Sequence, residues 1–156
     1  YFVRQTKSHH SFKDGLSAPP PGMPGLHRPG AGFFSDKHID AVYCSTYKRS
    51  INTTHPAPQL LGLEIITDQR YGEWENGLSV GASGMYEKRW LDFDFHEPGG
   101  ESILMVQARN IEALAEILSR HPGQSIMIGA HGAALSSILN YYAPSFGVKD
   151  FLFIAD

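Results

Sequence analysis

The stretch Ser125–Leu135, SIMIGAHGAAL, decides the fold class of this 156-residue chain. Ser125–Ala130 is predicted to be a strand, because a continuous apolar run is typical of a parallel strand covered on both faces. The run ends at His131, and a short helix is predicted from Gly132 to Tyr142. A buried strand that leads through a polar turn into a helix favours a layered α/β fold.

The same alternation of strand and helix extends along the rest of the chain. Further strands are predicted at Tyr1–Val3, Ala41–Ser45, Leu63–Thr67 and a run that begins at Phe151. Further helices are predicted at Tyr47–Leu61, at Met85–Leu91, and from Ile103 to the stop signal His121-Pro122-Gly123. This order predicts a three-layer α/β/α sandwich with a mostly parallel central sheet, in which sites lie at the carboxyl ends of the strands.

Composition excludes several classes of function. The net charge is −3, from 13 basic and 16 acidic residues, so no cationic field suits nucleic acid or a membrane surface. No apolar run approaches the ~20 residues of a membrane span. Cys44 is the single cysteine, and the scattered histidines lack metal-ligand spacing, so we expect neither a disulfide nor a metal site. We expect a cytoplasmic protein without nucleic-acid or membrane partners, and its oligomeric state stays open.

We expect one domain over residues 1–156, trimmed at both ends, because the chain begins without Met and stops inside a predicted strand. Residues 18–32, APPPGMPGLHRPGAG, fit this domain badly. They hold half of the chain's ten prolines, where a helical crossover between the first two strands is expected. Each interior Pro costs a helix roughly 3 kcal/mol. Two explanations stay open, a genuine Pro-rich loop and, slightly favoured, a reading-frame error in the source DNA.

Four side chains that suit a phosphate monoester lie at or beyond predicted strand ends: Arg4, Arg49, Glu73 and His131. Guanidinium groups bind phosphate oxygens bidentately, a histidine can donate to them, and a carboxylate with a raised pKa can protonate a leaving oxygen. The amides of Gly132 and Ala133, at a helix start, also favour an anion. Each residue alone has an ordinary structural explanation, such as a salt bridge or a turn. Their common placement predicts a phosphate site.

The order of the motifs around these residues resembles that of the histidine phosphatase superfamily, the phosphoglycerate-mutase-like proteins. The five matching segments are YFVRQT at residues 1–6, STYKRSINT at 45–53, EWENG at 73–77, Gly100-Glu101-Ser102 with Arg109, and Ala130-His131-Gly132. The match covers most of the chain, with its gap at residues 18–32. Within this match, Ser102 is expected to cap a helix and Arg109 to have a structural role.

The resemblance implies a mechanism without metal or cofactor, in which the first histidine of the family becomes phosphorylated. Arg4 and Arg49 would clamp the phosphoryl oxygens, with a further contact from Ser8. His131 would donate to the same oxygens, and Glu73 would act as general acid for the leaving alcohol. The expected partners are inorganic phosphate and a small-molecule or phosphopeptide phosphate monoester.

Gln5 occupies the position of that nucleophilic histidine. The lone pair of an amide nitrogen is delocalised into the carbonyl, so Gln5 does not attack phosphorus, although it can hydrogen-bond a phosphate. His9 and His10 lie beyond the strand end and are not favoured as substitutes. Three explanations of Gln5 stay open: a natural pseudoenzyme position, a deliberate inactivating substitution, and a sequence error, because His and Gln codons differ only at the third base.

The predicted function is therefore a metal-independent phosphate monoester hydrolase scaffold that is weak or inactive because of Gln5. The alternative is a pseudophosphatase that binds phosphate or a phosphoester without turnover. A phosphoglycerate-mutase-type phosphotransferase is less favoured, because the chain is short. An unrelated nucleotide-binding domain is disfavoured, because no glycine-rich phosphate loop of the required spacing is present.

Overall fold

The computed structural model describes residues 1–4, 37–77 and 84–155. Gln5, Ser8 and the Pro-rich segment 18–32 lie outside the described residues. Four strands form one sheet in the order β1-β4-β2-β3, and every pairing is parallel. The strands are β1 (Phe2–Arg4), β2 (Ala41–Cys44), β3 (Ile65–Thr67) and β4 (Ile126–Ala130).

Six α-helices follow or connect these strands in the described part of the chain. They are α1 (Lys48–Thr54), α2 (Pro56–Leu61), α3 (Met85–Leu91), α4 (Ile103–Arg120), α5 (Gly132–Tyr142) and α6 (Val148–Ala155). A 3₁₀ helix at Gln69–Tyr71 follows β3. None of these helices is long and apolar enough to cross a membrane.

The alternating side chains of β4 enter two different cores. Ile126 and Ile128 pack with residues of α4 and α5 on one face of the sheet. Met127 packs on the other face with Val42 and with Ala57 of α2. Helices therefore cover both faces of a parallel sheet, which confirms the predicted three-layer α/β/α sandwich. A strand with two covered faces must be apolar throughout, and this explains the uninterrupted run of β4.

The helix predicted over Tyr47–Leu61 is divided into α1 and α2 at His55. Pro56 is the first residue of α2, where the missing N–H group of proline costs nothing. Gly62 ends α2 in the left-handed conformation, with φ of 69°. The following strand is also shorter than predicted, because Leu63 and Glu64 precede β3 as irregular chain.

The strand predicted to begin at Phe151 is wrong, since this segment is helix α6. A strand would place Phe151 and Phe153 on the same face, whereas the structure buries Phe151 and leaves Phe153 87% exposed. Phe151 contacts Trp74 and Trp90 in an aromatic cluster. A short apolar run is compatible with either element, and this packing against two tryptophans selects the helix.

The longest predicted helix is confirmed as α4. Ser102 caps it, because its hydroxyl accepts a hydrogen bond from the amide of Met105 at 3.2 Å. The stop signal begins at His121, which is the C-cap residue. The helix lies beside α5, and the amide of Gln107 donates to the carbonyl of Ser137 at 3.0 Å.

The carboxyl ends of all four strands lie in one row. Arg4 pairs with Ala130, and Cys44 pairs with both Gly129 and Thr67. The residues that directly follow the strands therefore emerge at one edge of the sheet.

A Gly129→Ala substitution should destabilise the protein by about 1–3 kcal/mol, because a Cβ has no room in the central strand. That atom would lie 2.9 Å from Cys44 Sγ and 3.2 Å from Thr54 Cβ. Urea unfolding would measure the loss. Gly147→Ala is the matched control, because no atom lies within 4 Å of its added Cβ. Equal stability of Gly129→Ala and the wild type would contradict the described packing.

Candidate active site

His131 lies directly after β4 and precedes the first residue of α5. Its side chain is 1% exposed. Its Nε2 atom shares a hydrogen bond of 2.8 Å with the hydroxyl of Ser45, the residue that follows β2. The ring of Tyr47 packs edge-on against the imidazole, with 5.0 Å between centroids. His131 is therefore held between the ends of the two central strands.

Arg49 reaches the same site from the first turn of α1. Its guanidinium lies over the ring of Tyr47, with Cζ 4.6 Å from the ring centroid. Its Nη2 atom is 3.5 Å from Nδ1 of His131 and 3.9 Å from Oε2 of Glu73. The side chain is 39% exposed, so a ligand can reach it.

Glu73 comes from the loop after the 3₁₀ helix. Its Oε2 atom lies 3.7 Å from Nδ1 of His131. The backbone amides of Trp74 and Ala133 both donate to its carboxylate. Burial raises the pKa of Glu73, and these hydrogen bonds together with the charges of Arg49 and Arg109 oppose that effect without reversing it.

Burial lowers the pKa of His131 to about 4, and the positive charges of Arg49 and Arg109 act in the same direction. The imidazole is therefore neutral at pH 7. A neutral imidazole beside a guanidinium can still donate one hydrogen bond to an anion and accept another.

Asp68 is a second carboxylate at this edge of the sheet, directly after β3. Its oxygens accept hydrogen bonds from the side chain of Arg70 at 2.7 to 3.1 Å, and one also accepts from the amide of Arg70. These bonds lower the pKa of Asp68. Asp68 is therefore held as a carboxylate by Arg70, whereas the pKa of Glu73 is raised.

The other predicted site residues are placed as follows. Arg4 ends β1 opposite Ala130, the residue before His131, so its backbone lies at the same edge. Gly132 and Ala133 begin α5, and the amide of Ala133 is directed to Glu73. Gln5 and Ser8 lie outside the described residues.

Ser45 and Tyr47 are contacts that the sequence analysis did not assign to the site. Both belong to the STYKRSINT segment, in which only Arg49 was singled out. A serine directly after an apolar strand is only weak evidence for a site residue. Its role is recognised only in the folded structure, where the sheet brings Ser45 to His131.

Arg109 has the structural contacts expected of it, because it pairs with Glu101 and binds loop carbonyls.

A cavity of about 350 Å³ is lined in part by Glu73. Its described lining includes Tyr47, Glu75, Arg70 and Arg109. Both arginines are engaged in ion pairs, Arg70 with Asp68 and Glu116 and Arg109 with Glu101. In the described ranges, no group of three His, Cys, Asp or Glu residues converges as a metal site.

The lowered pKa of His131 predicts a pH dependence of stability. Unfolded histidine takes up a proton near pH 6.5, whereas folded His131 does so only near pH 4. The wild type should therefore lose stability as the pH falls from about 6.5 to 4, by up to about 3 kcal/mol in total. His131→Gln should lack this component. Unfolding in urea at pH 7 and pH 4.5 would test it, and identical pH slopes would refute it.

Comparison with known proteins finds phosphatases among those that this chain resembles. The chain is 30% identical over 111 residues to phosphoserine phosphatase 1 of Hydrogenobacter thermophilus, which corresponds to 62% of this chain. The match covers 51% of that protein, so the chain spans about half the length of this curated relative.

Two solved phosphatase structures share the fold at low identity. A mycobacterial glucosyl-3-phosphoglycerate phosphatase superposes with a TM-score of 0.65 at 19% identity, over 80% of this chain and 66% of that one. Its complex with inorganic phosphate superposes with a TM-score of 0.64 at 21% identity, over 73% of this chain and 63% of that one.

YhfR of Bacillus stearothermophilus has the same fold, with a TM-score of 0.61 at 21% identity over 73% of this chain and 61% of that one. The family profile described as histidine phosphatase superfamily (branch 1) matches residues 30–151, which include Arg49, Glu73 and His131 but not Arg4, Gln5 or Ser8. The chain belongs to the histidine phosphatase superfamily.

Proposed function

We propose that the protein binds a phosphate monoester at the edge formed by the strand ends, and that hydrolysis is weak because Gln5 replaces the nucleophile. The observation that carries this proposal is the cluster of Arg49, Glu73 and His131. Their side-chain atoms lie within 3.5 to 3.9 Å of one another. A cation, a neutral imidazole and a carboxyl group with a raised pKa provide what a phosphoryl group and its leaving oxygen require.

The end of β1 supports the same proposal. Because Arg4 pairs with Ala130, the chain leaves β1 next to His131. Arg4 would supply the second guanidinium of a phosphate clamp, and Ser8 together with the amide of Gly132 would add donors. The names of the relatives are consistent with a phosphate ester ligand, since each phosphatase named above acts on one.

The chemistry of the parent reaction follows from these roles when a histidine stands at position 5. An unprotonated ring nitrogen attacks phosphorus, and the bond between phosphorus and the leaving oxygen breaks. The carboxyl group of Glu73 gives its proton to that oxygen, so a neutral alcohol departs. Water then attacks the phosphohistidine, and the Glu73 carboxylate accepts a proton from this water as phosphate leaves. Arg49 and His131 stabilise the equatorial oxygens in both steps.

The second candidate function is a binding protein without turnover, and Gln5 is the observation that favours it. The amide of Gln5 can donate to a phosphate oxygen but cannot form the covalent intermediate. Removal of a nucleophile leaves binding and electrostatic assistance, which amounts to roughly 10³ to 10⁴-fold over water in a well-studied hydrolase. Both candidates share the phosphate site and differ only in residual rate.

Gln5→His should raise the rate of phosphate monoester hydrolysis by about 10² or more, because it supplies a nucleophilic nitrogen. The measurement is turnover of p-nitrophenyl phosphate and of phosphoserine between pH 5 and pH 8, with acid-labile phosphohistidine detected on the protein. Gln5→Asn is the matched control, which keeps an amide and should stay near the wild-type rate.

Three results are informative. Equal activity of the wild type and Gln5→His would assign the nucleophile elsewhere. An inactive Gln5→His that binds inorganic phosphate by calorimetry would support the binding protein. Loss of phosphate binding in Arg49→Gln would show that phosphate binds at the cluster of Arg49, Glu73 and His131. Unchanged binding would show that phosphate binds elsewhere.

The general-acid role of Glu73 has its own test in the Gln5→His background. Glu73→Gln should lower the kcat for an alkyl phosphate by about 10² to 10⁴-fold, because an alkoxide leaves poorly without a proton. Asp68→Asn is the matched control at the other strand end, and it should change kcat much less. A larger loss in Asp68→Asn than in Glu73→Gln would transfer the acid role to Asp68.

A further inference from the structure

The position of the Glu73 carboxylate depends on a loop that is neither helix nor strand. Its contacts with His131 and Arg49, at 3.7 and 3.9 Å, are too long for hydrogen bonds. Its bond from the amide of Trp74 is long, at 3.3 Å, and comes from the adjacent residue. The amide of Ala133, at the start of α5, also donates to this carboxylate. The carboxylate position is therefore set by two things together, the course of the loop backbone and the start of α5.

Arg109 binds the loop backbone at two residues that precede Glu73 in the sequence and at Glu73 itself. Its Nη1 atom donates to the carbonyl oxygens of Arg70 at 2.5 Å and Gly72 at 3.1 Å. Its Nη2 atom donates to the carbonyl oxygen of Glu73 at 3.3 Å. One guanidinium thus binds three carbonyls within four residues of a segment that has no strand partner there.

Glu101 orients Arg109 and binds the loop beyond Glu73. Its two oxygens each accept a hydrogen bond of 2.8 Å from Arg109, in the bidentate geometry that fixes a guanidinium plane. The Oε2 atom also accepts from the amide of Glu75 at 3.0 Å. The amide of Glu101 donates to the carbonyl of Glu75 at 2.8 Å. The Glu101–Arg109 pair therefore binds the loop backbone on both sides of the acid.

The pair also connects Glu73 to His131 through rigid elements. Arg109 lies in α4, which Ser102 caps just after Glu101. Helix α4 packs along α5, the helix that begins immediately after His131. Loss of the pair would release the loop backbone at Glu73, whereas His131 would keep its hydrogen bond to Ser45.

We propose that the Glu101–Arg109 pair is a positioning device that places the carboxyl group of Glu73 against the leaving oxygen of the substrate. This inference rests on the proposed function of Glu73 as general acid. It assigns a role in the reaction to two residues that act through the loop backbone.

The readout that separates positioning from general stability is the leaving group. In the first step a nitrophenolate departs without a proton, whereas an alkoxide requires one. A displaced acid therefore lowers kcat/KM, which reports this first step, only for the alkyl substrate. Hydrolysis of the phosphohistidine is common to both substrates and does not enter kcat/KM. A misplacement of about 1 Å costs on the order of 10²-fold in rate. A merely structural role would lower both rates together.

The experiment uses Arg109→Lys in the Gln5→His background. Lysine keeps the charge but lacks the planar fork that binds several carbonyls and one carboxylate at once. We expect the kcat/KM for phosphoserine to fall about 10²-fold, and the kcat/KM for p-nitrophenyl phosphate to stay within about threefold. Glu101→Gln is the second variant, in case Arg109→Lys fails to fold, and should act in the same direction. Arg120→Lys is the control, because Arg120 lies in the same helix and pairs with Glu116.

A double-mutant cycle links the effect to Glu73. Once Glu73→Gln has removed the acid, Arg109→Lys should cause no further loss with phosphoserine. Additive losses, or equal losses with both substrates, would overturn the inference while leaving the role of Glu73 intact. If Glu73→Gln itself does not discriminate between the substrates, both the acid assignment and this inference fail.

A measurement without turnover completes the test. Arg109→Lys should increase amide hydrogen exchange of residues 72–75 relative to the wild type and to Arg120→Lys, because the loop loses its anchors. Unchanged exchange in this segment would overturn the inference whether or not Gln5→His is active.

Discussion

The buried hydrogen bond between Ser45 and His131 joins the ends of the two central strands, and the rest of the site is arranged around it. An imidazole this deeply buried must satisfy its ring nitrogens, and Ser45 satisfies Nε2 at 2.8 Å. The bond forms only because β2 and β4 are adjacent and in register, with Cys44 opposite Gly129. The other ring nitrogen then faces Arg49 and Glu73. The parallel register of two strands thus determines which side chains can meet at the sheet edge.

Three titratable groups at this edge of the sheet have pKa values that are shifted by different surroundings. His131 stays neutral because desolvation and two arginines disfavour its charge. The pKa of Glu73 is raised because desolvation exceeds the effect of those same arginines. Asp68 stays ionised because Arg70 binds it directly. Two carboxylates at one sheet edge therefore have different chemical capacities, and their partners rather than their residue types decide which of them can deliver a proton.

Sequence reasoning succeeded where a single pattern was enough to specify an element. The predicted strand β4 and the predicted helix α4 are both present with nearly the predicted bounds. It failed at Phe151, because an apolar run of five residues is compatible with two elements, and packing against Trp74 and Trp90 decided between them. It also overlooked the contact of Ser45 with His131 and the hydrogen bonds of Arg109 to the loop around Glu73, since neither has a local sequence signal.

The sequence by itself determined most of the strands and helices, because apolar periodicity and turn residues act locally. The order of its motifs indicated the family and placed Arg49, Glu73 and His131 at or beyond strand ends. Only the tertiary structure decided that these three side chains meet, that Glu73 rather than Asp68 lies beside His131, and that Glu101 and Arg109 bind the intervening loop. Those facts depend on strand register and on contacts between residues more than 20 positions apart, such as Arg109 with Gly72. Desolvation, which sets the pKa of His131 and Glu73, likewise exists only once the sheet and its helices have assembled.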